Sequence, residues 1–323
     1  MLPPNDVLRG LVGDLRQIAS VRRFVLSDGP DAGVETLAFS TGGGLDFWVT
    51  AGRGMDIATL SWRGAQLAWQ SPAGLRPLPP AQTGDSQRGF NRAFGGFLNT
   101  CGFDHIRQPA NGRPLHGTAP FTPARLLAYG EDWGSTEPRL YCEGEIVVWA
   151  FGGGGHRLRR RIEAPIGASA LRIIDTVELI GPDPAPILAL YHFNLGFPLH
   201  REGTEVHLDG TLVAGPLARH EAAPARPALH KPESGRANCC VSGGGPSIEF
   251  RWATDTLPWL QVWRDLRPGS GVLSVEPCSI GRSPDGQNEA APALGPGETR
   301  RFEIEVVLGD ATSGSSVAQS GAV

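Results

Sequence analysis

Apolar and polar residues alternate along much of this chain, which is the pattern of a β-strand with one buried face. Residues 301–308 and 171–179 both follow it. Four further short segments, rich in Val, Ile, Leu and aromatic residues, are also predicted as strands: 145–151, 186–194, 259–264 and 271–275. The pattern therefore predicts an all-β protein.

Glycine and proline clusters separate these segments, at residues 42–44, 152–155, 181–184 and 243–246. Many short strands with such turn signals indicate a large antiparallel β-sandwich or a barrel. Helical spacing occurs only in residues 5–18, where Gly10 and Gly13 interrupt it. That segment predicts either a helix or a turn that leads into the first strand.

The length of 323 residues allows one large β domain or two smaller ones. Because no internal linker stands out, we predict one domain over residues 1–310. Residues 311–323 are small and polar, which favours a disordered tail.

Charge and cysteine usage narrow the class of partner. The net charge of −4 gives no basic excess for nucleic acid. No run of 18 apolar residues predicts a membrane span, and the first residues do not resemble a signal peptide. The five cysteines form no CxxC motif, and no metal-ligand spacing appears. We therefore expect reduced thiols, a cytoplasmic location and no bound metal.

Side chains capable of chemistry concentrate between Phe90 and Gly117, on a segment rich in glycine and proline. Irregular backbone that carries such side chains is typical of binding or catalytic walls. Within it, His116 precedes Gly117, which leaves room for a ligand near the backbone. The histidine could equally cap a turn.

A second group lies on predicted strands. Alternation puts His192 and Asn194 on one face, opposite Tyr191 and Phe193, so this polar stripe forms either a cleft floor or a solvated outer face. Glu276 ends an apolar strand, where it could point into a cleft or sit on the surface. Two histidines and a glutamate on separate segments suggest acid–base chemistry on a small polar substrate.

Basic residues elsewhere have both structural and functional interpretations. Arg53 and Asp56 form either a structural ion pair or a polar edge that meets a ligand. The guanidinium of Arg92 could bind a hydroxyl or a carboxylate. Residues 156–161, HRLRRR, are interpreted as a solvated strand face.

These motifs resemble the aldose 1-epimerase (galactose mutarotase) superfamily, and within it the DUF4432 family. The resemblance rests on Asn91-Arg92 followed by Leu115-His116-Gly117, on the segment 191–196 (YHFNLG), and on Glu276-Pro277. The segments 53–56 (RGMD) and 95–102 (GGFLNTCG) match the DUF4432 pattern, and the similarity runs from about residue 10 to 308.

The resemblance implies a mutarotase-like supersandwich with a shallow sugar-binding cleft. It implies catalytic roles for His116, His192 and Glu276, without a cofactor. The residues expected to contact the substrate are Arg53, Asp56, Arg92, His105, Asn194 and Trp263. The Pro-Asp-Ala segment of mutarotases is missing here, and no equivalent of their substrate-binding aspartate can be assigned.

The expected function is anomerisation, or a related epimerisation, of a free carbohydrate. Two alternatives stay open: a sugar-binding protein of the same fold without turnover, and an isomerase or lyase that acts on an acidic or keto sugar. The sequence leaves the identity of the sugar and the oligomeric state open, with a homodimer as one option.

Overall fold

The computed structural model describes residues 3–75, 86, 88–92, 94–233, 235–283 and 286–310. Strands dominate the described part of the chain, and every strand pairing within it is antiparallel. The predicted all-β sandwich is therefore confirmed. The expected tail, 311–323, lies outside the described residues, and the single-domain boundary at 310 stays a prediction.

The first strands form a five-stranded meander in chain order. Its strands are β1 Ser20–Val25, β2 Glu35–Ser40, β3 Leu45–Thr50, β4 Asp56–Trp62 and β5 Ala65–Gln66.

The largest sheet has nine strands. In chain order they are β7 Arg125–Asp132, β8 Arg139–Ala150, β9 Gly154–Pro165, β10 Ala170–Ile180, β13 Glu205–Leu208, β14 Thr211–Ala214, β16 Arg236–Ser242, β17 Pro246–Ala253 and β21 Thr299–Asp310. Their order in space is β14-β13-β16-β17-β21-β10-β9-β8-β7.

A second five-stranded sheet is here called the site sheet. Its strands are β6 Leu98–Phe103, β12 Leu188–Leu195, β15 Ala228–His230, β18 Trp259–Asp265 and β19 Val272–Cys278. Their order in space is β15-β18-β19-β12-β6. The short strands β11 Ala185–Pro186 and β20 Ala293–Leu294 pair separately.

The main core is one cluster of buried residues from all three large sheets, and the site sheet packs against the nine-stranded sheet within it. On β12, Tyr191 packs against Phe302 with ring centroids 6.2 Å apart, and Phe193 lies 4.8 Å from Phe250. Because side chains alternate along a strand, His192, which lies between these two residues, points away from that core. One face of the site sheet is therefore apolar and packs into the core, and the opposite face carries polar side chains.

All six predicted strands are present: 171–179, 259–264 and 301–308 lie within β10, β18 and β21, and 145–151, 186–194 and 271–275 match β8, β12 and β19 to within two residues at an end. The segment 5–18, predicted as either a helix or a turn into the first strand, contains both: α1 spans Asn5–Leu11, and one 3₁₀ turn follows at Leu15–Gln17. Val12 has extended backbone, which ends the helix just before Gly13. No described helix combines the length and the apolar character needed to cross a membrane.

The solvated face predicted for residues 156–161 is wrong for alternate residues. His156 and Arg160 point inward, and Arg160 is only 1% exposed. Its guanidinium donates to both carboxylate oxygens of Asp175, at 2.8 and 2.6 Å. Arg160 can be buried because Asp175 neutralises it and further acceptors use its remaining N–H groups; only the intervening arginines meet solvent.

Candidate active site

Four polar side chains form a row across the outer face of the site sheet. Asn99 of β6 pairs with His192 of β12, and Gln261 of β18 pairs with Glu276 of β19. The register between β12 and β19 sets His192 opposite Glu276, because Leu190 and Asn194 on either side pair with Cys278 and Ser274. Strand pairing alone therefore aligns these four residues.

The centre of the row is a histidine–carboxylate pair. His192 Nε2 lies 3.5 Å from Glu276 Oε1. Glu276 is fully buried, and its Oε2 accepts a hydrogen bond from Gln261 Nε2 at 2.5 Å. Its Oε1 has no hydrogen-bond partner among the described residues. One carboxylate oxygen is thus held by the sheet, and the other faces His192 without a hydrogen bond to the described residues.

The neighbouring strand positions orient His192. Asn194 Oδ1 accepts from Ser274 Oγ at 3.1 Å and lies 2.6 Å from His192 Nδ1. Asn194 Nδ2 donates to Gly96 O and to Asn99 Oδ1, both at 3.0 Å, which fixes which end of the amide is oxygen. His192 Nδ1 therefore carries the hydrogen, and Nε2 is directed to Glu276.

His116 comes from the loop that covers the same end of the site sheet. Its ring lies 5.3 Å from the His192 ring at 85°. The backbone at His116 and Gly117 is left-handed, with φ of 63° and 78°. A Cβ on Gly117 would come within 2.3 Å of His105 O, so the tight turn that delivers His116 requires glycine there.

Burial sets the protonation of these groups. It raises the pKa of Glu276, and the adjacent His192 opposes that rise. Burial lowers the pKa of His116 well below 6.5, with His192 adding to the effect. At neutral pH, His116 is therefore an uncharged imidazole, and its buried Nδ1 has no hydrogen-bond partner in the described part of the chain.

Aromatic rings border the pair. Phe90 packs 4.7 Å from the ring of His116, and Phe94 lies 5.2 Å from that of His192. Trp263, half-buried, lies 6.3 Å from the His192 ring and 6.4 Å from that of Phe94. These rings form an apolar border beside the polar row.

The structure thus brings together His116, His192, Glu276, Asn194 and Trp263. Asn194 contacts His192, so its observed contribution is to orient that ring.

Arg53 and Asp56 lie beneath the row. They are 1% and 0% exposed and form an ion pair at 3.6 Å. Asp56 accepts from the backbone N–H of Thr100 at 2.8 Å and from Asn99 Nδ2 at 3.3 Å. Asn99 in turn bonds to Asn194, which links the ion pair to the orientation of His192. Their observed contacts are with the protein, and a direct substrate contact by either one stays a prediction.

The remaining two predicted residues lie further out. His105 is 9% exposed, and its Nε2 lies 2.6 Å from Gln108 O, so that nitrogen is engaged with its own loop. Arg92 ends a short 3₁₀ helix, Gly89–Arg92, and is exposed. Their roles with a substrate also stay predictions.

Sequence reasoning missed three polar residues next to Glu276. Gln261 could have been found, because alternation puts it on the same face as Trp263. Arg107 and Arg282 had no sequence signal, since both come from loops and reach Gln261 only through the fold. Among the residues that the structure covers, no cluster of His, Cys, Asp or Glu has the geometry of a metal site.

Comparison with known proteins agrees with this fold. The family model described as "Domain of unknown function (DUF4432)" matches residues 31–308, so the chain belongs to that family. No curated protein matches the sequence.

Solved structures resemble the chain over most of its length. A candidate aldose 1-epimerase from Klebsiella pneumoniae aligns with a TM-score of 0.77 at 20% identity, covering 95% of this chain and 86% of that one. A galactose mutarotase-like protein from Clostridium acetobutylicum gives 0.63 at 11% identity, with 90% and 98% covered. Galactose 1-epimerase from Lactobacillus acidophilus gives 0.57 at 9%, with 90% and 99% covered. The fold is therefore galactose mutarotase-like.

Proposed function

We propose that this protein interconverts the anomers of a free sugar by acid–base opening and closure of the sugar ring. The observation that carries the proposal is the pair of facing atoms, His192 Nε2 and Glu276 Oε1, at the centre of a polar row. Ring opening requires one group to give a proton and another to take one, on adjacent oxygens of the substrate.

In the proposed reaction the pair starts as imidazolium and carboxylate. Glu276 takes the proton of the anomeric hydroxyl while His192 Nε2 protonates the ring oxygen, and the bond between that oxygen and the anomeric carbon breaks. The open-chain carbonyl compound rotates about its terminal C–C bond. Closure on the other face returns both protons, so the reaction consumes nothing and requires no cofactor.

The environment of each group suits these roles. A base acts best when its pKa lies near the working pH, and burial moves Glu276 in that direction. Asn194 holds His192 Nδ1, so only Nε2 exchanges a proton with the substrate. His116 remains neutral next to the pair, where its imidazole can hydrogen-bond to a sugar oxygen.

Fold similarity supports the same proposal. One solved structure of this fold is named galactose 1-epimerase, although only 9% of its residues are identical. At such identity the likeness supports the fold, and the argument for activity rests on the row.

The test is anomer exchange measured by NMR across a panel of aldoses and ketoses, with and without the protein. Acceleration of at least one sugar supports the proposal. A protein that binds sugars without accelerating exchange would be a binding module of this fold.

A further inference from the structure

Two arginines share one neutral acceptor at the Gln261 end of the row. Gln261 Oε1 accepts from Arg107 Nε at 3.0 Å and from Arg282 Nη2 at 3.3 Å. The same glutamine holds Glu276 through its Nε2. Two guanidinium groups are therefore one side chain away from the proposed catalytic carboxylate.

Arg107 is a structural cation whose N–H groups are used by the protein. It is 4% exposed, and the partners of its Nη atoms are neutral: Gly281 O, Asn288 Oδ1, Ile280 O and Cys278 Sγ. No carboxylate among the described residues lies within 4 Å of its nitrogens. The N–H groups of Arg107 are thus hydrogen-bonded, but no paired carboxylate in the described part of the chain neutralises its charge.

Arg282 has hydrogen-bond donors that the described residues do not use. It is half-buried, and its side chain makes one hydrogen bond to the described residues, the one to Gln261. Its Nε is buried without a hydrogen-bond partner among them. It forms no ion pair with a carboxylate in the described part of the chain, and the exposed Glu289 nearby packs against Gly281 without reaching it. A fork of N–H donors therefore remains open beside the row.

The charges do not balance in this corner. Arg107 and Arg282 contribute two positive charges, and Glu276 contributes at most one negative charge, which the proposed reaction neutralises each time the carboxylate takes a proton. Burial, with Arg107 second, lowers the pKa of Arg282, as expected where a cation lacks a counter-ion. An anion placed here would remove both the charge imbalance and the unfilled donors.

We infer that the substrate carries an anionic group that binds Arg282 beside Gln261, so that the protein acts on an acidic sugar. The inference rests on the proposed function and names its substrate class. Carboxylate and phosphate both match the planar fork of a guanidinium, so a sugar acid and a sugar phosphate share the relevant chemistry.

The experiment compares each neutral aldohexose with its uronate and its 6-phosphate, and includes a 2-keto sugar acid. Anomer exchange gives kcat/KM for each compound, and NMR titration gives its affinity. We expect wild-type protein to favour at least one acidic compound over its neutral parent by about tenfold or more, the scale of one charge-assisted contact. Which acid is favoured identifies the anionic group.

Three variants test whether Arg282 causes the preference for an acidic sugar over its neutral parent. Arg282→Gln removes the charge and should reduce the ratio of acidic to neutral kcat/KM to near one. Arg282→Lys keeps the charge without the fork and should retain part of that ratio. Arg264→Gln is the matched control on β18, because that arginine is paired with Glu221 at 2.8 Å; it should keep the wild-type ratio.

The outcomes separate this inference from the proposed function. If wild type exchanges neutral and acidic sugars equally well, the anionic substrate is refuted; if Arg282→Gln leaves the ratio unchanged, the binding of that anion by Arg282 is refuted. The mutarotase proposal stands in both cases. If wild type binds acidic sugars through Arg282 but exchanges none, the anion site is supported and the mutarotase proposal fails. If it binds no sugar, both fail.

Discussion

His192 Nε2 and Glu276 Oε1 lie 3.5 Å apart on neighbouring strands, further than the 2.7–2.9 Å of a charge-assisted hydrogen bond. The two atoms are therefore close enough to serve one substrate and too far apart to bind each other tightly. Asn194 and Gln261 hold the opposite side of each group, at 2.6 and 2.5 Å. This arrangement points one nitrogen and one oxygen at the same small volume.

The first prediction concerns the tautomer of His192. Once His192 Nε2 has given its proton, the neutral ring keeps its remaining hydrogen on Nδ1, where Asn194 accepts it. Asn194→Ala removes that acceptor, so the neutral ring should lose its preference for the Nδ1–H form. Because Nε2 must take the proton back when the sugar ring closes, and a ring with its hydrogen on Nε2 cannot do so, anomer exchange should fall by roughly tenfold to a hundredfold. ¹⁵N NMR of the histidine ring reports the tautomer directly. A slower variant with an unchanged tautomer would assign Asn194 a purely structural role.

The second prediction concerns stability and pH. Burial raises the pKa of Glu276 above its ordinary value of 4.5, so the folded chain binds that proton more tightly than the unfolded chain. The resulting stability is present below pH 4.5 and is lost as pH rises through the raised pKa. Glu276→Gln imitates the protonated acid at every pH. We therefore expect the variant to be more stable than wild type at about pH 8, and the difference to shrink at about pH 5.

Thermal unfolding at both pH values measures this difference, at roughly 1.5 °C for each kcal/mol gained. Glu249→Gln is the control. That carboxylate lies on β17 of the nine-stranded sheet, away from Glu276, where it is 33% exposed and paired with Arg251. A Glu276→Gln variant that is less stable than wild type at the higher pH would mean that the carboxylate is charged and well stabilised in the folded protein.

The third prediction concerns the buried ion pair of Arg160 and Asp175. Arg160→Met leaves the carboxylate buried without its counter-ion, which should cost about 3–5 kcal/mol of unfolding free energy. Arg159→Met on the same strand is the control, because that side chain is 67% exposed; it should change stability by about 0.5 kcal/mol or less. Urea unfolding measures both, and equal losses would contradict the inward orientation of Arg160.

Alternation along the strands predicted most of the fold and the central part of the site. It put His192 and Asn194 on the face opposite Tyr191, and the sheet keeps that division. The same rule applied to residues 156–161 would have turned Arg160 inward. We predicted solvent exposure because the residues are basic. That prediction is wrong where a carboxylate from elsewhere in the chain, here Asp175, neutralises a buried arginine.

The sequence could not reveal what depends on contacts between loops. Arg107 reaches Gln261 across 154 positions, and no local pattern marks such a contact. His116 was identified by its motif, but its position next to His192 depends on a left-handed turn at His116 and Gly117. The ion pair of Arg53 and Asp56 could be proposed from spacing, whereas its burial beneath β6 could not.

The most direct test of the proposed mechanism is anomer exchange by Glu276→Gln beside wild type, with sugar affinity measured on both. The carbonyl oxygen of the substituted amide can still accept from Gln261, so the variant keeps the hydrogen bond and loses only the base. We expect wild type to accelerate exchange of its sugar, and the variant to be slower by about a hundredfold or more while it binds that sugar with similar affinity. Exchange by the variant at the wild-type rate would contradict the assignment of Glu276 as the base.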